Sequence, residues 1–282
     1  MRLDEDGDRA NVEDRRGSAL GGAGVKLGVG GTLLLLALSL VFKRDMFALL
    51  GTSPGGGGGA APAAEVQQRQ RAEAGLEKVA VGSFNDTQRV WARQLRGRGW
   101  RDAKLVLFWD QTRSACGAAA AEMGPFYCPG DERVYIDLGF YRELSTRFGA
   151  PGAFAQAYVI AHEMGHHLQN LLGIEPKVRE AQARHPAQRN ALSVLMELQA
   201  DCLAGVWGHS ARERGLLDPG DLESGLGAAA AVGDDRLQKA ATGRVSPESF
   251  THGTSAQRVQ WFRRGFEAGS LDACDTFRAE RP

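Results

Sequence analysis

The chain has 282 residues, 24% of them charged, with 34 basic and 34 acidic side chains and a formal net charge of zero. That balance offers no electrostatic case for a nucleic-acid partner. The length suits one sizeable domain with tethers, and four cysteines allow three disulfide pairings.

In chain order, residues 1–26 (MRLDEDGDRANVEDRRGSALGGAGVK) are polar and charged and are expected to be flexible. LGVGGTLLLLALSLVF follows without a charge. With Lys26, Lys43 and Arg44 at its ends it reads as a transmembrane helix over residues 27–46. A buried core helix and a cleaved signal peptide are the alternatives. The long charged leader and the lack of a close A-x-A site argue against the second. Arg9, Arg15, Arg16 and Lys26 precede the span, and only Lys43 and Arg44 closely follow it. That bias puts residues 1–26 in the cytoplasm and the bulk of the chain outside, where an even cysteine count fits an oxidising compartment. Residues 51–78 read as a flexible linker, opening with GTSPGGGGGAAPAA. The folded domain is expected over residues 79–282.

Inside it, DTQRVWARQLRGRG reads as a helix capped by Asp86, and Lys104–Asp110 as a strand. GPFYCPGDERVYIDL reads as two strands joined at Pro129-Gly130. The rest is helical by pattern: Ala153–Leu172 ended by Gly173, Asn190–His209, Asp221–Ala241 with breaks at its glycines, and Thr254–Ala268. Thr254 and Gln257 make a capping box there, and Gly269 is the stop. A small sheet followed by helices is an α+β pattern.

AYVIAHEMGHHLQNLLG places three histidines and a glutamate in an apolar helix. His162 and His166 are i and i+4, on one face and about 6 Å apart along the axis. Their ring nitrogens can converge on one ion, with Glu163 beside them as general base. A catalytic zinc site takes a third protein ligand and keeps one position open. SVLMELQADCLAGVWG supplies it: Glu197 stands in an apolar helix, with Asp201 one turn on. Glu197 is read as the ligand and Asp201 as the carboxylate that accepts the other N–H of a histidine, His162 above all.

H-E-x-x-H followed by a helix with E-x-x-x-D resembles the gluzincin metallopeptidases. The whole chain resembles the bacterial "putative neutral zinc metallopeptidase" family. The matching pieces are NVEDRRG, the apolar span, YCPGDERVYIDL, HEMGHHLQNLLG, ELQADCLAGVWG and SFTHGTSAQRVQWFRRGF. The resemblance implies a zincin-like domain holding Zn2+ through His162, His166 and Glu197. It also implies a sheet edge, by position Arg133–Leu138, on which an extended peptide or protein substrate adds as a strand.

On this reading the protein is a membrane-anchored hydrolase of peptide bonds that uses Glu163 as base. A developing oxyanion needs a donor besides the ion. His252, in the loop before the last capped helix, is the candidate, with Tyr135 and Tyr158 behind it; a loop histidine with a structural hydrogen bond is the plain alternative for His252. His167 points about 100° from His166 and reads as a packing residue. His185 reads as a loop residue, His209 as a favourable charge near a helix C-terminus, and Trp207, Trp261 and Phe262 as core. Cys116 and Cys128 fall on neighbouring strand segments and are expected to pair. Cys202 is then left for Cys274, a bond that ties the Glu197 helix to the C-terminal tail and is worth a few kcal/mol. Two other functions use the same site: hydrolysis of a non-peptide amide, and a zincin-fold scaffold without turnover.

Overall fold

The computed structural model describes residues 1–3, 7–18 and 62–279. The span expected at 27–46 lies outside them. Among the described residues no helix is long and apolar enough to cross a membrane.

The strand KLVLF is apolar almost throughout because both its faces are covered. It forms β2 (Lys104–Phe108), inside a four-stranded sheet of order β1-β2-β6-β5. Its neighbours are β1 (Val12–Asp14) and β6 (Arg133–Asp137), both parallel to it, with Val12 opposite Leu105 and Leu105 opposite Val134. β5 (Phe126–Cys128) closes the far side, antiparallel to β6. A separate hairpin, β3 (Gln111–Ser114) with β4 (Gly117–Ala120), is tied to β5 by a Cys116–Cys128 disulfide with Cα atoms 5.8 Å apart.

One face of the sheet carries helices α1 (Ala63–Gln94), α2 (Gly139–Thr146) and α3 (Ala153–Leu171). Then follow α4 (Ile174–Arg184), α5 (Arg189–Glu213), α6 (Asp221–Ala231), α7 (Asp234–Thr242) and α8 (Ser255–Ala268). α3 is the central helix: it is buried on nearly every side, and its Phe154, Tyr158, Ile160 and Met164 join one core with Leu105, Ile136, Trp207 and Phe262. Gly173 in the left-handed region separates α3 from α4, and α8 has the full Thr254–Gln257 capping box. The mixed helix and small-sheet architecture is the α+β class expected from the pattern.

Four expectations are corrected. The leader is not free: residues 7–18 are folded, and β1 completes the sheet. Its charge is what misled, because Arg16 is buried and discharged against Asp14 Oδ2 at 2.7 Å and Glu77 Oε2 at 2.6 Å, with Glu73 at 3.4 Å. Hydrogen-bonded neighbours lie on one side of any bilayer, so β1 in the cytoplasm and β2 outside it is incompatible with this sheet. Second, residues 63–78 are the first half of α1, not linker, and the folded unit does not begin at Val79. Third, Asp86 is no cap. It lies inside α1, accepting from Trp207 Nε1 at 2.9 Å and from the Arg214 guanidinium. Fourth, β6 is interior, between β2 and β5. The edge strands are β1 and β5, and β5 is the one that lines the cleft beside His162 and Glu163.

Candidate metal centre

Two helices supply the site. His162 and His166 stand one turn apart on α3, and Glu197 and Asp201 one turn apart on α5. The helices cross where Gly165 meets Ala200: a Cβ on Gly165 would come within 3.0 Å of the Ala200 Cα and carbonyl oxygen. That glycine sits between the two histidines, and Ala200 sits between the two carboxylates. The close crossing is therefore what lets the four side chains converge.

His162 Nε2 lies 3.1 Å from Glu197 Oε2, and His166 Nε2 lies 3.5 Å from Glu197 Oε1. One ligand atom from each of the three residues falls within 4.8 Å of the others. The remaining ring nitrogens are already committed, His162 Nδ1 to Asp201 Oδ1 at 2.9 Å and His166 Nδ1 to Gln169 Oε1 at 2.8 Å. Each acceptor holds a hydrogen on Nδ1, so that Nε2 is the nitrogen turned toward an ion. Two imidazoles and a carboxylate, oriented in this way, fit a zinc ion with an open position.

The protein's own charges are arranged for a cation. Burial raises the Glu197 carboxyl, but the two histidines outweigh it and hold it well below the usual range. Burial lowers His162, but Asp201 and the hydrogen bonds to Asp201 and Glu197 hold its imidazolium up to about 10. Burial dominates at His166 and lowers it. Glu163 is pushed by burial up to about 7, against the pull of His162, while accepting the backbone N–H of Tyr127.

A proton must therefore leave His162 Nε2 before that nitrogen ligates a metal. At pH 8, where Glu163 is already ionised, zinc binding should release about one proton, and affinity should rise about tenfold per pH unit until release fades above about pH 10. Isothermal titration calorimetry in buffers of different ionisation enthalpy measures this. Zinc uptake with no proton released would exclude His162 as an imidazolium exchanged for metal.

The site opens on a cleft of about 750 Å³ whose walls include Phe126, Tyr127, Phe148, Met196, Val232 and Leu237. His252 is at its rim, half exposed, with Nδ1 3.1 Å from Asp234 Oδ1. Asp234, the first residue of α7, also accepts the backbone N–H of Thr251, His252 and Gly253 through Oδ2, at 2.7, 2.6 and 3.2 Å. The carboxylate thus sets the loop and the ring together. Of the other oxyanion candidates, Tyr135 donates to Asp131 and stacks on Phe126, and it does not line the cleft. Tyr158 lines the cleft, but its hydroxyl is spent on Asp201.

His167 stays out of the cluster, with Nδ1 3.0 Å from the Tyr127 hydroxyl and Nε2 2.8 Å from the Arg101 carbonyl. Cys202 and Cys274 are bonded, Cα atoms 5.5 Å apart. Three functional residues escaped the sequence reading: Gln169, Asp234 and Arg258. Arg258 is buried, donates to both Asp201 oxygens at 2.8 and 3.0 Å, and stands 4.0 Å from Glu197. Its signal was present, since Arg258 is i−3 and i−4 from Trp261 and Phe262 on the buried face of α8.

A family model described as "Putative neutral zinc metallopeptidase" matches residues 1–277. "Uncharacterized protein YpfJ" of Escherichia coli (strain K12) is 48% identical over 278 residues, covering 95% of each chain. "Uncharacterized protein Rv2575" of Mycobacterium tuberculosis (strain H37Rv) is 41% identical over 255 residues, 82% of this chain and 85% of the relative. No solved structure matches.

Proposed function

The chain belongs to the family described as "Putative neutral zinc metallopeptidase", and we propose that it hydrolyses peptide bonds with a zinc ion held by His162, His166 and Glu197. The observation that carries this is the pair of Nδ1 contacts, to Asp201 and Gln169, that turn both Nε2 atoms toward Glu197.

Zinc in this triangle supplies Lewis acidity and makes a water acidic enough to react near neutral pH. Glu163, poised at about 7, takes the proton of the attacking water and hands it to the leaving amine. The Asp234–His252 pair offers Nε2 at the rim as a donor to the developing oxyanion. The open edge of β5 is where an extended peptide adds, because Tyr127 of that strand also contacts Glu163. The apolar walls favour a peptide with apolar side chains beside the scissile bond.

The proposal puts the domain outside the cytoplasm. Two disulfides, with no free cysteine among the described residues, support an oxidising compartment. Any attachment through residues 27–46 would have to return the chain to the side on which β1 meets β2.

The test is digestion of a peptide library by the full chain, read by mass spectrometry. Cleavage is expected to stop on chelation and to return with one equivalent of zinc. A chain that binds one zinc yet cleaves no peptide would end the peptidase reading.

A further inference from the structure

The outer contacts of the two metal-binding histidines are chemically unlike. His162 leans on a carboxylate backed by a buried arginine. His166 leans on an uncharged amide, Gln169. The orientation of that amide is fixed independently of the histidine. Gln169 Nε2 donates to the Met196 carbonyl at 2.7 Å and to Gln199 Oε1 at 3.1 Å, positions that only an NH2 group can serve. Its Oε1 is therefore the end that faces His166, so the ring carries its hydrogen on Nδ1 and keeps Nε2 for the metal.

Gln169 is fully buried, with relative exposure of 0%. It spans the two helices that hold the ligands: one end touches His166 on α3, and the other holds the carbonyl of Met196, the residue before Glu197 on α5. Gln199 continues the line. It accepts from Gln169 and donates through Nε2 to the Cys274 carbonyl at 2.9 Å. Cys274 is bonded to Cys202, one helical turn beyond Leu198 on α5. Thr276 fastens the same segment by donating to the Leu195 carbonyl at 2.8 Å. Four residues thus lead from a metal-binding ring to a covalent cross-link.

We propose that Gln169 and Gln199 form a positioning relay that ties the His166 imidazole to the Cys202–Cys274 disulfide, so that the redox state of that bond sets how tightly the site holds its metal. The inference rests on the zinc reading above. Reduction by a dithiol adds two electrons and two protons to the bond and yields two thiols, while the reductant closes to its own disulfide. Cys274 is then held by non-covalent contacts alone. Its carbonyl ceases to be a fixed acceptor for Gln199, and the Gln169 amide, left with the Met196 carbonyl, loses the second of the two partners that hold it against His166.

The experiment measures zinc release from the loaded full chain to excess chromophoric chelator, together with the visible spectrum of the cobalt-substituted protein, which reports ligand geometry. Gln169→Leu is expected to speed zinc release by about 10–100-fold, as loss of an outer contact to a metal ligand does, and to shift the cobalt bands. Gln199→Leu, which leaves both metal-binding helices intact, is expected near the lower end of that range. The double variant Cys202→Ser, Cys274→Ser should match Gln199→Leu, and so should the wild type after dithiol reduction. Adding Gln199→Leu to the double cysteine variant should change release little further, because both break one line. If Gln169→Leu fails to fold, Gln199→Leu and the reduced wild type carry the test.

Wild-type release rates and cobalt spectra in Gln199→Leu and in the reduced chain would overturn the relay and leave the zinc site standing. So would a fall in thermal stability with unchanged spectra, the mark of a purely structural role. A wild-type chain that holds no zinc would overturn the zinc reading and the relay together.

Discussion

Glu163→Gln is expected to lower peptide hydrolysis by about 10²–10⁴-fold while leaving bound zinc at the wild-type level. The amide is nearly the same shape, and Glu163 is not one of the three residues whose ligand atoms cluster. What the substitution removes is a group that takes a proton near neutral pH, since burial holds the native carboxyl at about 7. The glutamine Nε2 can still be accommodated in the cleft, but it neither accepts a proton from an attacking water nor returns one to the leaving amine. His162→Ala is the contrasting variant, because it should lose the metal and the activity together. The measurements are peptide turnover and metal content on the same preparations. A Glu163→Gln chain with undiminished turnover would remove the general-base assignment. One that kept the complete cellular role of the protein while inactive on peptides would favour a scaffold over an enzyme. A non-peptide amidase would behave like a peptidase in the variants but leave the peptide library uncut.

What could be read from the sequence was what depends on short spacing. His162 with His166, and Glu197 with Asp201, are each one helical turn apart, and helix periodicity alone puts each pair on one face. Their meeting across two helices followed from the count of ligands that zinc requires. The disulfides followed from strand adjacency in one case and from elimination in the other. The misses share a different cause. Strand order is set by pairings between distant segments, and nothing local in RVYID marks it as interior while FYC is an edge. NVEDRR reads as solvated because charge usually is. Only the fold reveals that Glu73 and Glu77, some sixty positions on, neutralise Arg16. One practical consequence follows for any soluble fragment. A chain cut at Val79 would lose β1 and half of α1, and would expose Leu105 and its neighbours along the edge of β2. Gln169 and Asp234 were missed for a related reason, since an amide or carboxylate in a polar stretch signals nothing until its partners are known.

Arg258→Met should destabilise the metal-free chain by about 3–5 kcal/mol, the cost of stranding a buried ionic partner. Arg258 is 3% exposed and Asp201 0%. The guanidinium meets that carboxylate with two donors, at 2.8 and 3.0 Å, and also donates to the Tyr158 hydroxyl and the Val232 carbonyl, each at 3.2 Å. Methionine restores the volume of the stem but none of these donors. Asp201 would then rely on His162 and Tyr158 alone. Arg258→Lys should recover part of the loss, since one ammonium restores the charge but not the bidentate fork. Urea unfolding of the chelated chain measures the change. A difference from wild type below about 1 kcal/mol would show that the pair contributes little net stability, as buried pairs can when the cost of desolvation offsets their attraction. Zinc should not close the gap. In the metal-free site the Arg258 and His162 cations face the Asp201 and Glu197 anions. When zinc displaces the His162 proton, its two charges and that of Arg258 match Asp201, Glu197 and an ionised Glu163. Removing Arg258 leaves the loaded site one negative charge in excess, and that excess falls on a buried carboxylate the metal does not touch. Arg258 is thus the residue that lets a three-carboxylate cluster stay buried in both states.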